Sequence, residues 1–149
     1  VKVKVLGDVP DRQRLEELAR QENAPVEFLG YQDHGSMAAW LRASDITVNS
    51  LVKSAVQSIV TKIGDYLASG KPMINTGSSP EFRNKVTTDG FGLNVVAENP
   101  EALADVLEEL ARNPSLRKIM GARGRAVAER EFDQRTSYLA IVNLLRNLI

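Results

Sequence analysis

Short apolar runs alternate along this chain with segments whose apolar residues recur at helical spacing. The runs predict five strands, at residues 1–6, 26–29, 46–48, 73–74 and 93–96. The helical segments are predicted to begin near residues 11, 37, 61, 100, 114 and 134. Strands and helices that alternate with short connections predict an α/β fold, with a Rossmann-like, mostly parallel sheet covered by helices on both faces.

Several helix ends are marked by capping residues. Asn99-Pro100-Glu101 combines a cap, a first-turn proline and an early carboxylate, and Asn113-Pro114 repeats the first two features. Asp11 is expected to cap the first helix. Ser69-Gly70 is expected to close the helix that begins near residue 61, because glycine adopts the left-handed conformation at little steric cost.

The first predicted strand differs from the others. Its sequence Val1-Lys2-Val3-Lys4-Val5 alternates, whereas central parallel strands are apolar on both faces. This pattern predicts that one face is partly exposed to solvent, as it would be if an adjoining element were absent. Because the chain also opens on Val1 rather than methionine, we expect it to be a fragment of a longer protein.

Composition excludes several classes of function. The 149 residues are 43% hydrophobic, and 19 basic residues balance 19 acidic ones, so bulk charge does not predict a nucleic-acid binder. The chain has no cysteine, which excludes thiolate metal sites, cysteine nucleophiles and disulfides and fits a cytoplasmic location. A single histidine leaves no metal constellation, so no metal is expected. No apolar run is long enough to span a membrane, and no signal peptide is visible.

Candidate chemistry lies where the predicted strands end, since ligands of open α/β sheets bind beyond the carboxyl ends of strands. These ends are rich in small polar residues, namely Gly7-Asp8, Gly30-Tyr31, Asn49-Ser50 and Asn75-Thr76-Gly77-Ser78-Ser79. The segment from Ser58 to Lys62 has the strongest local pattern, because a helix that begins near Thr61 offers free N–H groups and a dipole to a phosphate. Lys62 would add positive charge, and Asp65 could accept hydrogen bonds from ribose hydroxyls. Each of these residues also has a purely structural interpretation. Thr61 could only cap the helix, Lys62 could be solvated, and Asp65 could be a surface carboxylate that the dipole at the helix N-terminus stabilises.

Other candidate motifs are weaker. His34 lies in a predicted loop after the second strand, where a surface position is more common than a catalytic one. No G-x-S-x-G elbow supports a serine nucleophile, and Gly7-Asp8-Val9-Pro10 lacks the further glycines of a dinucleotide fingerprint. The basic residues of the penultimate helix are interpreted as a solvated face: Arg117, Lys118, Arg123 and Arg125.

Seven short segments carry a resemblance to a known family. They are Val5-Leu6-Gly7-Asp8 with Pro10, Val26-Glu27-Phe28-Leu29-Gly30, Ala43-Ser44-Asp45-Ile46-Thr47-Val48, Asp65-Tyr66-Leu67-Ala68-Ser69-Gly70-Lys71-Pro72, Gly90-Phe91-Gly92, Pro100-Glu101-Ala102-Leu103-Ala104 and Met120-Gly121-Ala122-Arg123-Gly124. Together, in this order, they resemble the C-terminal domain of GT-B glycosyltransferases of the retaining group 1, family 4-like class.

The resemblance implies a nucleotide-diphosphate sugar as donor and transfer with retention, without a metal or other cofactor. The family's two glutamates, eight residues apart, fall on Gln57, beside the donor sugar in the catalytic position, and on Asp65 at the ribose. The diphosphate loop falls on Ser58, Ile59 and Val60, followed by Thr61 and Lys62. Gly30, Tyr31 and Gln32 match the loop that touches the base, and Gly7 ends the first matching strand.

The resemblance also implies what the chain is part of. Residues 1–149 correspond to a single nucleotide-sugar-binding domain that lacks the family's first strand-helix unit and its N-terminal acceptor domain. The implied function is the donor-binding half of a glycosyltransferase, in polysaccharide biosynthesis, cytoplasmic and peripheral to the membrane in the full-length protein. Two alternatives remain: a non-catalytic binding or assembly module, which the uncharged Gln57 favours, and a related sugar-nucleotide epimerase.

Overall fold

The computed structural model describes residues 1–8, 11–55 and 61–146. The strands are β1 Val3–Leu6, β2 Val26–Gly30, β3 Thr47–Asn49, β4 Met73–Asn75 and β5 Gly92–Asn94. The helices are α1 Arg12–Gln21, α2 His34–Ala43, α3 Ile63–Ala68, α4 Pro80–Asp89, α5 Pro100–Arg112, α6 Pro114–Glu131 and α7 Gln134–Arg146. The chain divides into two compact units, an N-terminal unit Val1–Trp40 and a C-terminal unit Leu41–Ile149.

The N-terminal unit is built on a two-stranded parallel sheet, in which Val3 of β1 pairs with Val26 of β2. The contacts of Lys4 account for a charged residue between the valines of β1. Its ammonium forms an ion pair with Glu27 of β2 and lies 5.4 Å from the centroid of the Trp40 ring. The exposed face expected for β1 is confirmed, since Val3 is 39% exposed. Asp11 stands at the N-cap of α1 as expected, but its side chain accepts no capping hydrogen bond.

The C-terminal unit contains a three-stranded parallel sheet with the order β3-β4-β5. The parallel pairing predicted from the sequence is confirmed, although the described strands form two sheets, one in each unit. The central strand β4 is fully buried, and its consecutive residues Met73 and Ile74 belong to separate core clusters. Because neighbouring strand residues point to opposite faces, this sheet is covered on both sides, as predicted.

Capping residues mark several of the helix boundaries. The side chain of Asn99 accepts a hydrogen bond from the Ala102 amide at 3.0 Å, and that of Asn113 accepts one from Leu116 at 3.0 Å, which confirms both predicted starts. Gly70, with φ at 70°, follows the end of α3 as predicted.

The sequence interpretation missed α4 entirely. This helix starts with Ser79, whose hydroxyl accepts a hydrogen bond from the Phe82 amide, followed by Pro80 and Glu81, and it ends before Gly90 in the left-handed conformation. The same succession of a capping residue, a proline and a glutamate correctly predicts the start of α5 at Asn99-Pro100-Glu101. Only Phe82 and Val86 of α4 are buried, so this helix shows little of the apolar periodicity that marks the other helices.

The interpretation of the basic residues on α6 as a solvated face is wrong for Arg117. Its side chain is only 20% exposed, and its guanidinium donates to the carbonyl oxygens of Leu110 and Ala111 at 2.6 and 2.8 Å. Arg117 therefore satisfies carbonyl groups that the end of α5 leaves without helical partners. None of the helices in the described part of the chain has the length and apolar character needed to cross a membrane.

Candidate functional site

Two predicted site residues, Gly7 and Gly30, are brought together at the carboxyl ends of β1 and β2. The Gly7 amide donates to the Gly30 carbonyl at 2.8 Å, and both glycines have positive φ, at 109° and 65°. A Cβ atom at Gly30 would lie 3.0 Å from the Arg12 guanidinium, a group that the sequence interpretation did not single out. The sequence spacing could have indicated Arg12, because Asp8 lies four residues before it and Glu16 four residues after it, and Arg12 forms ion pairs with both.

The rest of the predicted base-contacting loop follows directly. Tyr31 is 78% exposed, and Gln32 donates its side-chain amide to the Leu29 carbonyl at 2.9 Å. Tyr31 therefore leaves an aromatic face open on which a flat base can stack.

The assignment of His34 to a loop is wrong, because His34 is the first residue of α2. The reason is Asp33, whose carboxylate accepts hydrogen bonds from the Ser36 amide at 2.9 Å and the Ser36 hydroxyl at 2.7 Å. The bonds from Ser36 hold the pKa of Asp33 below its usual value. His34 is exposed and belongs to this capped helix start.

In the C-terminal unit, the structural alternative that Thr61 only caps the helix is wrong. Helix α3 begins at Ile63, and Lys62 stands at its N-cap with helical dihedral angles and makes no side-chain capping bond. Thr61 and Lys62 form a turn that leads into the helix, so the amides of its first turn gain no capping bond from the side chain of the N-cap residue. Asp65 lies in the first turn, as predicted for a carboxylate near these amides.

Lys62 is held in an unusual environment. Burial lowers its pKa, its ammonium lies 5.7 Å from the centroid of the Tyr66 ring, and no carboxylate of the described residues forms an ion pair with it. Burial also raises the pKa of Tyr66, and the charge of Asp65 adds to that shift. A half-buried cation that lacks a protein counter-ion favours the arrival of an anion.

Thr61 and Asp65 also line a groove of about 390 Å³ between α3 and the end of α6. Its charged lining consists of Asp65, Arg125, Glu129 and Asp133. Arg125 is engaged, donating to the Ala68 carbonyl at 2.8 Å and to Glu129 at 2.7 Å. With three carboxylates and one guanidinium, this groove suits hydroxyl donors, such as those of a ribose, better than phosphate.

The polar residues at the ends of β3, β4 and β5 are joined in one chain of side-chain amides. Asn49 donates to the Asn75 side-chain oxygen at 2.9 Å, and Asn75 donates to that of Asn94 at 2.9 Å. Asn49 and Asn75 are 1% and 0% exposed. The sequence interpretation placed Asn49 and Asn75 among the strand-end residues that could serve a ligand, whereas their hydrogen bonds join the strands to one another. We call Asn49, Asn75 and Asn94 the amide ladder.

Four predicted site residues lie outside the described residues: Gln57, Ser58, Ile59 and Val60. The residues that are described fall into two groups, with Gly7, Gly30, Tyr31 and Gln32 in the N-terminal unit and Thr61, Lys62 and Asp65 in the C-terminal unit. Across residues 1–8, 11–55 and 61–146, no three His, Cys, Asp or Glu side chains are grouped as they would be to hold a metal ion.

Residues 1–113 match the protein family described as Glycosyl transferases group 1. Among curated proteins, the chain is similar to a GDP-mannose-dependent monoacylated alpha-(1-6)-phosphatidylinositol monomannoside mannosyltransferase of Corynebacterium glutamicum. The identity is 28% over 149 residues, covering 96% of this chain and 38% of that protein. The chain thus spans less than half the length of this relative.

Solved structures show the same fold. Anabaena Alr3699/HepE in complex with UDP superposes with a TM-score of 0.81 at 19% identity, covering 99% of this chain and 41% of that one. Sucrose-phosphate synthase from Thermosynechococcus elongatus gives a TM-score of 0.83 at 22% identity, covering 99% of this chain and 38% of that one.

Proposed function

Because this chain belongs to the glycosyl transferases group 1 family, we propose that it is the donor-binding part of a glycosyltransferase. In this proposal the donor is a nucleotide-diphosphate sugar, and the full-length protein transfers its sugar to an acceptor. The observation that carries the proposal is the family match over residues 1–113, a range that includes every predicted binding residue.

The geometry around α3 supports a diphosphate at the start of this helix. Lys62, at the N-cap of this helix, makes no side-chain capping bond and has no carboxylate partner among the described residues. We assign Lys62 and the amides near Thr61 to the diphosphate, with Ser58, Ile59 and Val60 preceding them. Asp65, which lines the neighbouring groove, accepts hydrogen bonds from the ribose hydroxyls.

These assignments explain how the residues would assist transfer. When the bond between the sugar's anomeric carbon and the diphosphate breaks, the electron pair stays on the phosphate oxygen, which gains negative charge. Lys62 and the helix amides stabilise that charge more strongly after the bond breaks than before it, which is the condition for accelerating the step. Gln57 is assigned to the donor sugar, with no metal or other cofactor.

The proposal also covers the acceptor-binding domain and the location of the full-length protein in the cell. The acceptor is held by a second domain of the longer polypeptide, and the protein acts in the cytoplasm, peripheral to the membrane, in polysaccharide biosynthesis. Two similar proteins support a diphosphate donor: the mannosyltransferase of C. glutamicum is GDP-mannose-dependent, and Alr3699/HepE was crystallised in complex with UDP.

Isothermal titration calorimetry tests this proposal directly. We expect at least one of UDP, GDP and dTDP to bind about tenfold or more tightly than its own nucleoside, because only the diphosphate reaches Lys62 and the free amides. The nucleosides uridine, guanosine and thymidine are matched controls that keep the base and ribose. Equal affinity of every diphosphate and its nucleoside would contradict the proposal.

Diphosphate binding should also be accompanied by proton uptake at alkaline pH. Folding lowers the pKa of Lys62 below 10.5, and a bound diphosphate should raise it again by favouring the charged amine. Uptake by Lys62 should therefore grow as the pH rises towards its lowered pKa, because an increasing fraction of the unliganded chain then holds a neutral amine. Calorimetry in two buffers of different ionisation enthalpy measures it, and a binding heat independent of the buffer at pH 9 to 10 would argue against Lys62 as the phosphate ligand.

The lowered pKa of Lys62 also determines whether this residue stabilises or destabilises the folded chain as the pH rises. Below the lowered pKa of Lys62, the folded chain carries the full cost of a half-buried charge. As the pH rises from that value to 10.5, the unfolded chain holds more protons than the folded one, so the contribution of Lys62 to stability increases.

A further inference from the structure

Two charged side chains border an open space beside Gly30, where β2 ends. A Cβ atom at Gly30 would lie 3.0 Å from Arg12 Nη1 and 3.6 Å from Asp8 Oδ1. Gly30 has φ at 65°, a conformation in which residues with a side chain are strained. Because glycine carries no Cβ atom, the space next to it stays open, with a guanidinium and a carboxylate at its border.

Both charged groups have hydrogen-bonding capacity available for a ligand. Arg12 is anchored by two of its nitrogens, since Nε donates to Glu16 at 2.7 Å and Nη2 donates to the Phe28 carbonyl at 3.3 Å. Its third nitrogen, Nη1, lies 3.7 Å from Asp8 Oδ1, which is beyond hydrogen-bond distance. The side chain of Asp8 is 72% exposed. A ligand in the open space can therefore accept from Nη1 and donate to Asp8.

The next residue along the chain supplies an aromatic surface. Tyr31 is 78% exposed, so a face of its ring is accessible to a ligand. Proteins recognise unpaired nucleobases by stacking the base on an aromatic side chain and by hydrogen-bonding the edge of the base. Tyr31 provides the first kind of contact, and Asp8 and Arg12 provide the second, all at the ends of β1 and β2.

A carboxylate next to a guanidinium distinguishes between the bases of UDP, GDP and dTDP. Guanine presents two adjacent donors, N1–H and the N2 amino group, beside the acceptor O6. The two oxygens of a carboxylate can accept from both donors while a guanidinium donates to O6. Uracil and thymine present one N–H donor between two carbonyl oxygens. With these bases the carboxylate gains only one hydrogen bond, and its second oxygen meets a carbonyl oxygen.

We propose that Asp8 and Arg12 select the base of the donor and that this base is guanine. Asp8 accepts from N1–H and the N2 amino group, Arg12 Nη1 donates to O6, and the base stacks on Tyr31. The Gly7 amide donates to the Gly30 carbonyl at 2.8 Å, which fixes the strand end that carries Asp8 beside the open space. This inference rests on the proposed function, because it names the base of the same nucleotide-diphosphate donor.

Calorimetric titration of the unchanged chain with four diphosphates tests the choice of base. We expect GDP to bind about tenfold or more tightly than UDP and dTDP, because hydrogen bonds to charged groups are lost with the two pyrimidines. Inosine diphosphate is the matched ligand, since it lacks only the N2 amino group of GDP. It should bind about tenfold more weakly than GDP.

The variant Asp8→Asn tests the carboxylate. It should weaken GDP binding by about tenfold and bring GDP and inosine diphosphate to within about twofold of each other, since the amide cannot accept from both donors. Asp8 is exposed, so its loss should cost the folded chain little. Arg12→Lys removes Nη1 and should weaken GDP and inosine diphosphate by the same factor, because both carry O6.

Asp11→Asn is the matched control for Asp8→Asn. It removes the same charge from the N-cap of α1, where the side chain makes no capping bond. Every affinity should stay within about twofold, because an exposed charge away from the ligand is screened by salt.

The outcomes separate this inference from the proposed function. If UDP or dTDP binds as tightly as GDP, the choice of guanine is overturned while a diphosphate site is still demonstrated. A preference for GDP that Asp8→Asn leaves unchanged overturns the role of Asp8 and Arg12. If the unchanged chain binds none of the four diphosphates, the proposed function fails, and this inference fails with it.

Discussion

Replacing Gly121 by alanine should destabilise the chain by about 3 kcal/mol, because the new methyl group has no space. Gly121 lies in α6 and is buried against the end of α3. A Cβ atom there would lie 2.0 Å from the Gly70 carbonyl oxygen, and a backbone atom cannot move aside as a side-chain tip can. Chemical denaturation, followed by circular dichroism, measures the loss.

Gly124→Ala is the matched control for this prediction. It lies on the same helix, but its Cβ atom would meet the tip of the Leu67 side chain at 3.3 Å, which a small shift relieves, and the Phe91 Cβ at 3.4 Å, an ordinary van der Waals contact. The higher helix propensity of alanine, about 1 kcal/mol over glycine, offsets part of the crowding. We therefore expect a change within about 1 kcal/mol. Equal losses in the two variants would show that α6 does not pack on Gly70 as described.

Lys62→Met should weaken nucleoside diphosphate binding by about tenfold to a hundredfold, since a hydrogen bond to a charged group contributes about 1.5–3 kcal/mol. The folded chain itself should lose little stability. Lys62 forms no ion pair among the described residues, and burial already disfavours its charge. Calorimetric titration with the diphosphate that binds best, together with a thermal melt, separates the two effects.

Lys118→Met provides the matched control, because it removes the same charge from an exposed position on α6. It should leave the affinity within about twofold, since exposed charges contribute little and are screened by salt. If both methionine variants weaken binding equally, the diphosphate senses only net charge, and Lys62 has no special role.

The alternation of strands and helices could be predicted because the burial of each element leaves a pattern of apolar residues in its own sequence. Apolar runs such as those of β2 and β4 and the capping residues Asn99 and Asn113 are local signals with one structural outcome. Helix α4 was missed although Ser79 carries the same kind of signal, because its few buried residues give no apolar stripe. Local signals thus predicted the elements that have a clear apolar pattern and missed the one that has little.

The candidate site was less predictable, because it depends on contacts between distant segments. Lys62 and Asp65 could be singled out from their place near a helix start, but the placement of Lys62 beside Tyr66 and the groove that Asp65 shares with α6 appear only in the fold. The amide ladder joins residues 26 and 19 positions apart in the chain. No sequence spacing marks such pairs, whereas the strand register places them side by side.

The most direct test of the donor site is to titrate the isotope-labelled chain with UDP, GDP and dTDP and to follow its backbone amide signals by NMR. The account predicts that the diphosphate that binds shifts the signals of residues 58–65 and of Gly30, Tyr31 and Gln32. Lys62→Met should reduce these shifts at equal ligand concentration, and the corresponding nucleoside should leave the signals of residues 58–62 in place. Binding that shifts signals elsewhere and leaves Thr61, Lys62 and Asp65 unchanged would contradict the account.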